Sequence, residues 1–180
     1  EIAMSTVQRI NFEPFSDILA TQRRDFVLGD KTLADPMNAV ALVDGEWMVI
    51  NNSYQIERAT SIVGANGDVP AVAQTSYVLF AERGRTDVRA MGVPKMPLLF
   101  MGPFEGDTRI FDSTQSAATD GAPITYVGQP LQVATITIGT RKYTGLVGRT
   151  ATGTTAIVGR VTRLPSNNSG KLRFVRASSI

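Results

Sequence analysis

The sequence predicts a mainly β protein. Its short antiparallel strands are expected to form one or two small barrels or sandwiches, with an extended or partly helical amino-terminal segment. Three observations carry this reading. Short apolar runs recur between Gly-rich turns, at the spacing of about 8–12 residues that marks all-β architectures. Asp44-Gly45, set between two apolar runs, is the strongest hairpin signal in the chain. Residues 131–138, LQVATITI, alternate apolar and polar with one slip of phase near Ala134, which predicts a half-covered strand with a bulge. A chain of 180 residues that is 43% hydrophobic can bury a core, as one domain or two small ones.

Residues 1–36 are expected to be an arm or a helix. Glu1, Ile2 and Ala3 precede Met4. They are expected to be foreign to the natural chain, with processing as the rival reading. Ser16 is a candidate N-cap, Asp17 suits a first turn, and Phe15, Ile18, Leu19, Gln22 and Phe26 fall near one face. Gly29-Asp30 would end such a helix, and an extended arm along a neighbour fits as well. Residues 37–112 read as a β domain. Its expected strands are 38–42, 46–50, 54–62, a hairpin over 77–91 turning at Arg83-Gly84-Arg85, 98–101 and 108–112, with a loop at 64–70. Residues 113–122, STQSAATDGA, form a polar loop or linker. Residues 123–180 read as a small basic β-barrel domain, with strands over 131–138, 143–147, 154–164 and 171–176. Its last two strands should pair about the turn Pro165–Gly170, with Leu172 and Phe174 inward and Lys171 and Arg173 outward.

Charge divides the chain sharply. Residues 1–120 hold 10 Lys+Arg and 16 Asp+Glu, a net of −6, and Asp120 is the last carboxylate. Residues 121–180 hold eight basic residues and no acid, a net of +8. The pI of 9.2 overstates the basicity. With no His and no Cys, little titrates between the carboxylates and lysine. The asymmetry suggests something negative as a partner: another protein, an acidic part of a second copy, or nucleic acid. Simple solvation of strand faces against edge-to-edge aggregation is the plainer alternative. Only Tyr126, Tyr143 and Phe174 accompany the basic residues, too few aromatics for a stacking platform, so direct nucleic-acid binding is not expected. The candidate partner-binding residues are Arg141, Lys142, Arg160, Arg163, Lys171, Arg173 and Arg176, together with Trp47. Trp47, the single tryptophan, suits a core more readily than a contact surface.

No catalytic constellation stands out. Without His or Cys there is no imidazole base, no thiolate nucleophile and no His/Cys zinc site. The phosphate-binding GxxxxGK[ST], GxGxxG and GxSxG patterns are absent. Glu105 and Asp107 share a strand face and are the one carboxylate pair that a hydrolase or a Ca²⁺ site would use. Solvated turn residues, or an Asp107–Arg109 pair, explain them more simply. No enzyme and no cofactor is expected. No apolar run reaches the roughly 18 residues of a membrane-spanning helix, and no leader peptide is apparent in the charged first 30 residues.

The passage GQPLQVATITIGTRKYTGLVGRTATGTTAIVGRVTRLPSNNSGKLRF resembles the small β-barrel decoration, or cement, proteins of tailed-bacteriophage capsids. The likeness lies in Thr/Gly/Val-rich strands, a valine-glycine pair and a closing basic-apolar strand, over roughly residues 121–176. It implies a structural protein on the outside of the virion, bridging major capsid subunits, often as a dimer or trimer. The basic side of the 156–176 strand pair would then meet acidic surface on the capsid protein or on a neighbouring copy. Tail tube proteins are the second resemblance. They are β-rich, of similar length, and usually present a long hairpin, an outer helix and an acidic lumen. The basic carboxy-terminal part departs from that lumen charge.

Overall fold

The structure, a computed structural model, describes residues 12–14, 23–29, 42–43, 45–50, 53, 55–59, 69–73, 95–99 and 103–176. Its strands are β1 (Phe12–Pro14), β2 (Arg23–Leu28), β3 (Trp47–Ile50), β4 (Gln55–Arg58), β5 (Val69–Ala73), β6 (Lys95–Leu99), β7 (Glu105–Thr108), β8 (Phe111–Asp112), β9 (Gly121–Ala122), β10 (Pro130–Ile138), β11 (Arg141–Arg149), β12 (Gly159–Arg163) and β13 (Leu172–Arg176). Among the described residues there is no α-helix, only a short 3-10 turn at Pro165–Asn167. The chain is mainly β, as its patterning requires.

One mixed sheet of eight strands runs β1-β7-β13-β12-β10-β11-β8, with β9 also on β11. It draws on both sides of segment 113–122, so that segment does not separate the strand pairing. The small sheet holds β2 to β6. There β4 lies between β2 and β3, β5 lies between β3 and β6, and β6 pairs back onto β2.

The self-contained barrel expected over 123–180 is instead part of the larger sheet. That sheet is open between β1 and β8, yet strongly curled. β7 and β8 are separated only by Arg109 and Ile110, so Thr108 and Phe111 can stand at most about 11 Å apart. Five strand spacings laid flat would need about 24 Å. The sheet must therefore wrap round, since Ile110, in the short link from β7 to β8, already lies on β11, whose Leu146 N–H donates to Ile110 O at 3.1 Å. Gly145 permits that approach, because a Cβ there would sit 2.7 Å from Ile110 O.

The wrapped interior is the main core. Phe12, Phe104 and Phe174 meet there edge to face or tilted, with ring centroids 5.9–6.4 Å apart. Trp47 lies 6.1 Å from Phe174. Leu131, Val133, Leu146, Val158, Val161 and Leu172 complete it from the large sheet, and Trp47, Ala59 and Leu99 from the small one. The two sheets thus share one apolar core.

Several local expectations need correction. Arg23–Leu28 is a strand, not the end of a helix, with β6 and β4 as its backbone partners. Those pairings supply backbone bonds that a short isolated helix would hold only marginally. Residues 15–22 lie outside the described residues, as do the expected strand 38–41 and the hairpin over 77–91. Gly45 does take a left-handed φ of +87°, but Leu42 and Val43 form no strand. The Val43 N–H donates to Glu46 Oε1 at 3.0 Å, and the Glu46 N–H donates to Val43 O at 3.2 Å. That tight turn uses the groups a ladder would need. Val69 and Pro70, expected in a loop, open β5. Residues 108–112 are two strands rather than one, split where the Ile110 N–H turns back to Thr108 Oγ1 at 3.0 Å.

The phase slip near Ala134 is not a bulge. β10 pairs β11 without interruption from Leu131↔Gly148 to Ile138↔Arg141. Leu131 and Val133 face the main core, whereas Ala134 and Ile136 face a second cluster with Ile110 and Val147. The covered face changes along the strand, and the apolar pattern changes phase with it. The bulge in this sheet falls between Val161 and Arg163 instead. Gly139, at φ +64°, opens the two-residue turn joining β10 to β11.

Candidate interaction surface

The last hairpin behaves largely as its alternation predicts. β12 pairs β13 about the Pro165–Gly170 turn, and Leu172 and Phe174 are buried. The outward positions are less simple. Glu13, Asp107, Arg173 and Arg163 stand in register across β1, β7, β13 and β12, so registered side chains share the face away from the core. Arg173 grips Asp107 with two bonds, Nε to Oδ1 at 2.7 Å and Nη2 to Oδ2 at 3.0 Å. Asn168 Nδ2 adds a third donor to Asp107 at 3.0 Å. Lys171 Nζ reaches Glu13 Oε2 at 3.0 Å, and Thr162 Oγ1 donates to Glu105 Oε1 at 2.8 Å. Burial alone would raise the Asp107 pKa, but the hydrogen bonds from Arg173 and Asn168, with the charges of Arg173 and Lys171, hold it below the ordinary carboxylate value.

The acidic early strands therefore meet the basic late strands within one chain. Lys171 and Arg173 each pair with a carboxylate there. Glu105 and Asp107 do share a face, but both are tied into these contacts, and Asp107 pairs with Arg173 rather than Arg109. Among the described residues no group of three or more metal-ligating side chains occurs, and no helix is long and apolar enough to cross a membrane.

Two further candidates, Trp47 and Arg176, lie inward. Trp47 is 1% exposed and belongs to the core, so its ring is not presented at the surface. Arg176 falls on the same face of β13 as Leu172 and Phe174 and is buried with them. Its guanidinium lies 5.8 Å from the Phe104 ring centroid, and its Nη1 donates to Leu99 O of the small sheet at 3.3 Å. Burial lowers its pKa to about 10, so it is still charged at neutral pH. Arg149, also buried, donates to Gly153 O and Thr155 Oγ1. Arg141 is half-buried, 5.3 Å from the Tyr143 ring centroid.

Arg160, Arg163 and Lys142 remain exposed. Arg160 and Arg163 stand on β12, and Lys142 stands beside the β10–β11 turn. Next to Arg160 is a feature that sequence reasoning missed, the turn over residues 123–129. Tyr126 and Val127 at its tip are 51% and 61% exposed. Its base is tightly held. Gln129 is buried, and its amide accepts from the Thr125 N–H at 2.8 Å and donates to Pro123 O at 2.7 Å. The Gly128 N–H donates to Val161 O at 2.7 Å, and Arg160 Nη1 donates to Gly128 O at 3.1 Å. The available signal was the bracketing of four β-type residues, Ile124 to Val127, by Pro123 and Gly128-Gln129-Pro130. A run so short between turn residues has no strand to belong to.

Gln129→Leu should loosen this turn and lower stability by about 2 kcal/mol, since the Thr125 N–H and Pro123 O lose their partner. Urea denaturation would measure it, and a loss under about 0.5 kcal/mol would contradict the role given to the Gln129 amide.

Comparison with protein-family models, curated proteins and solved structures finds no match to this chain.

Proposed function

We propose that this chain is a non-enzymatic structural protein of a phage virion that binds the outside of the capsid and stabilises the shell by bridging major capsid subunits. Its partners in this reading are the major capsid protein and further copies of itself, as a dimer or trimer. It is assembled in the host bacterial cytoplasm and resides on the capsid surface. The ring of backbone pairing through β2 to β6 is read here as one of the small barrels that the strand patterning leads us to expect.

The observation that carries the reading is the fate of the basic surplus. Lys171 and Arg173 are neutralised internally and Arg149 and Arg176 are buried, while Arg160 and Arg163 remain on the outward side of one strand. A positive strip beside a rigid apolar turn suits an acidic protein surface, where charge sets encounter rate and register. Immunogold labelling of virions should place this chain on the capsid at regular positions. Labelling confined to tails would overturn the capsid assignment.

A tail tube protein forming stacked rings is the second reading. It is favoured by the β10–β11 hairpin, whose two nine-residue strands are the longest described and end in an exposed turn. Light scattering after size exclusion at two salt concentrations separates the two. A compact dimer or trimer that resists salt supports decoration. Long polymers or rings that dissolve in salt support the tube.

A further inference from the structure

We infer that the Tyr126–Val127 turn is the anchoring tip by which this protein docks into an apolar pocket rimmed by carboxylates on the outer surface of the shell protein; this rests on the capsid reading above.

Turn tips are ordinarily filled by Gly, Asn, Asp or Ser, each with a local reason to be there. Here the tip carries an aromatic and a β-branched side chain, both more than half exposed. Single exposed apolar residues are common and mean little. Two adjacent ones on a braced turn are different, because the turn is held from behind while neither side chain is covered. The Gln129 amide, the Gly128–Val161 bond and the Arg160–Gly128 bond all fasten the backbone behind the tip. Ile124 is buried beneath it, and its N–H is tied to Ser113 O at 2.8 Å. A tip held this way loses little conformational freedom on docking, which is how preorganisation raises affinity. Tyrosine combines a large apolar face with a polar end and is enriched among residues that dominate binding energy.

Charge selects the kind of surface. Arg160 is fastened to the turn itself, and Arg163 follows on the same strand. Neither meets a carboxylate among the described residues. A pocket edged by Asp or Glu would satisfy both while the tip fills the apolar centre.

The test uses virions of the encoding phage produced without this protein, to which purified full chain is added back. Binding is followed by cosedimentation. Wild-type protein should rebind saturably. The double variant Tyr126→Ser/Val127→Ser, checked for an unchanged melting transition, should bind about 30-fold more weakly or worse. Arg160→Gln should slow association and flatten its salt dependence. Rebinding of the double variant at wild-type strength overturns the tip and leaves the capsid reading standing. Failure of the wild-type chain to rebind overturns the capsid reading and the tip with it. If light scattering shows a wild-type oligomer that the double variant dissolves, the turn is an interface between copies, and the shell pocket is wrong.

Discussion

Replacing Glu46 with alanine is expected to destabilise the protein by about 3–5 kcal/mol, the range for removing one partner of a buried ion pair. Glu46 is fully buried immediately before β3. Its carboxylate accepts from Arg58 Nε at 2.8 Å and Nη2 at 3.0 Å, and from the Val43 N–H at 3.0 Å. It also faces the N–H of Thr144 at 3.3 Å and its Oγ1 at 3.4 Å, on β11 of the large sheet. Thr144 Oγ1 in turn donates to Trp47 O at 2.7 Å. One carboxylate thus closes a turn, holds a cation and ties the two sheets together. Alanine would leave several donors, one of them charged, facing a void. Glu46→Gln keeps the shape but loses the charge that Arg58 needs, so it should fall between wild type and alanine. Adding Arg58→Ala to Glu46→Ala should recover part of the loss, because the guanidinium that Glu46 neutralised is then removed as well. Chemical denaturation of the four proteins checks this. A Glu46→Ala loss below about 1 kcal/mol would show that the bridge between the sheets carries little.

The second large effect is expected at Arg173. Arg173→Gln should cost about 2–3 kcal/mol at neutral pH, less than at Glu46 because the pair lies on the outer face and Arg173 keeps some solvent contact. Its side chain is 15% exposed and that of Asp107 is 6% exposed. The effect should depend on pH with a definite sign. The folded-state pKa of Asp107 lies below its ordinary value, so its stabilisation is complete above the unfolded carboxylate range near about 4. It is lost as the pH falls through the folded value. Wild type and Arg173→Gln should therefore differ most at pH 6–7 and converge as the pH falls below the ordinary carboxylate range. Melting curves across that range would show it. A gap that stays constant on acidification would mean that the ion pair is not its cause.

Much of the carboxy-terminal half was readable from local pattern. Leu172 and Phe174 are core because alternation puts them on one face, and the turn residues between the last two strands placed the turn at Pro165–Gly170, whereas the gap left between 138 and 143 is shorter than expected because Arg141 and Lys142 belong to β11. That rule also places Arg176 inward with them, a consequence hidden by counting the residue among surface charges. The slip at Ala134 was visible but has another cause. Alternation reports which face is covered, and β10 is covered first on one side and then on the other. The charge division of the chain was plain as well, yet its meaning was not. Asp107 and Arg173 are 66 residues apart, and Glu46 and Thr144 are 98 apart.

The β class, the hairpins near the carboxy terminus and the polarity of the two halves follow from local pattern, because each depends on neighbours one or two residues away along the chain. Which strands lie side by side, the meeting of acid and base within one curled sheet, the burial of Trp47 and the exposure of Tyr126 and Val127 emerge only from the folded chain. Those outcomes depend on which faces close over one another, a choice made by packing the whole chain rather than by any short stretch of it.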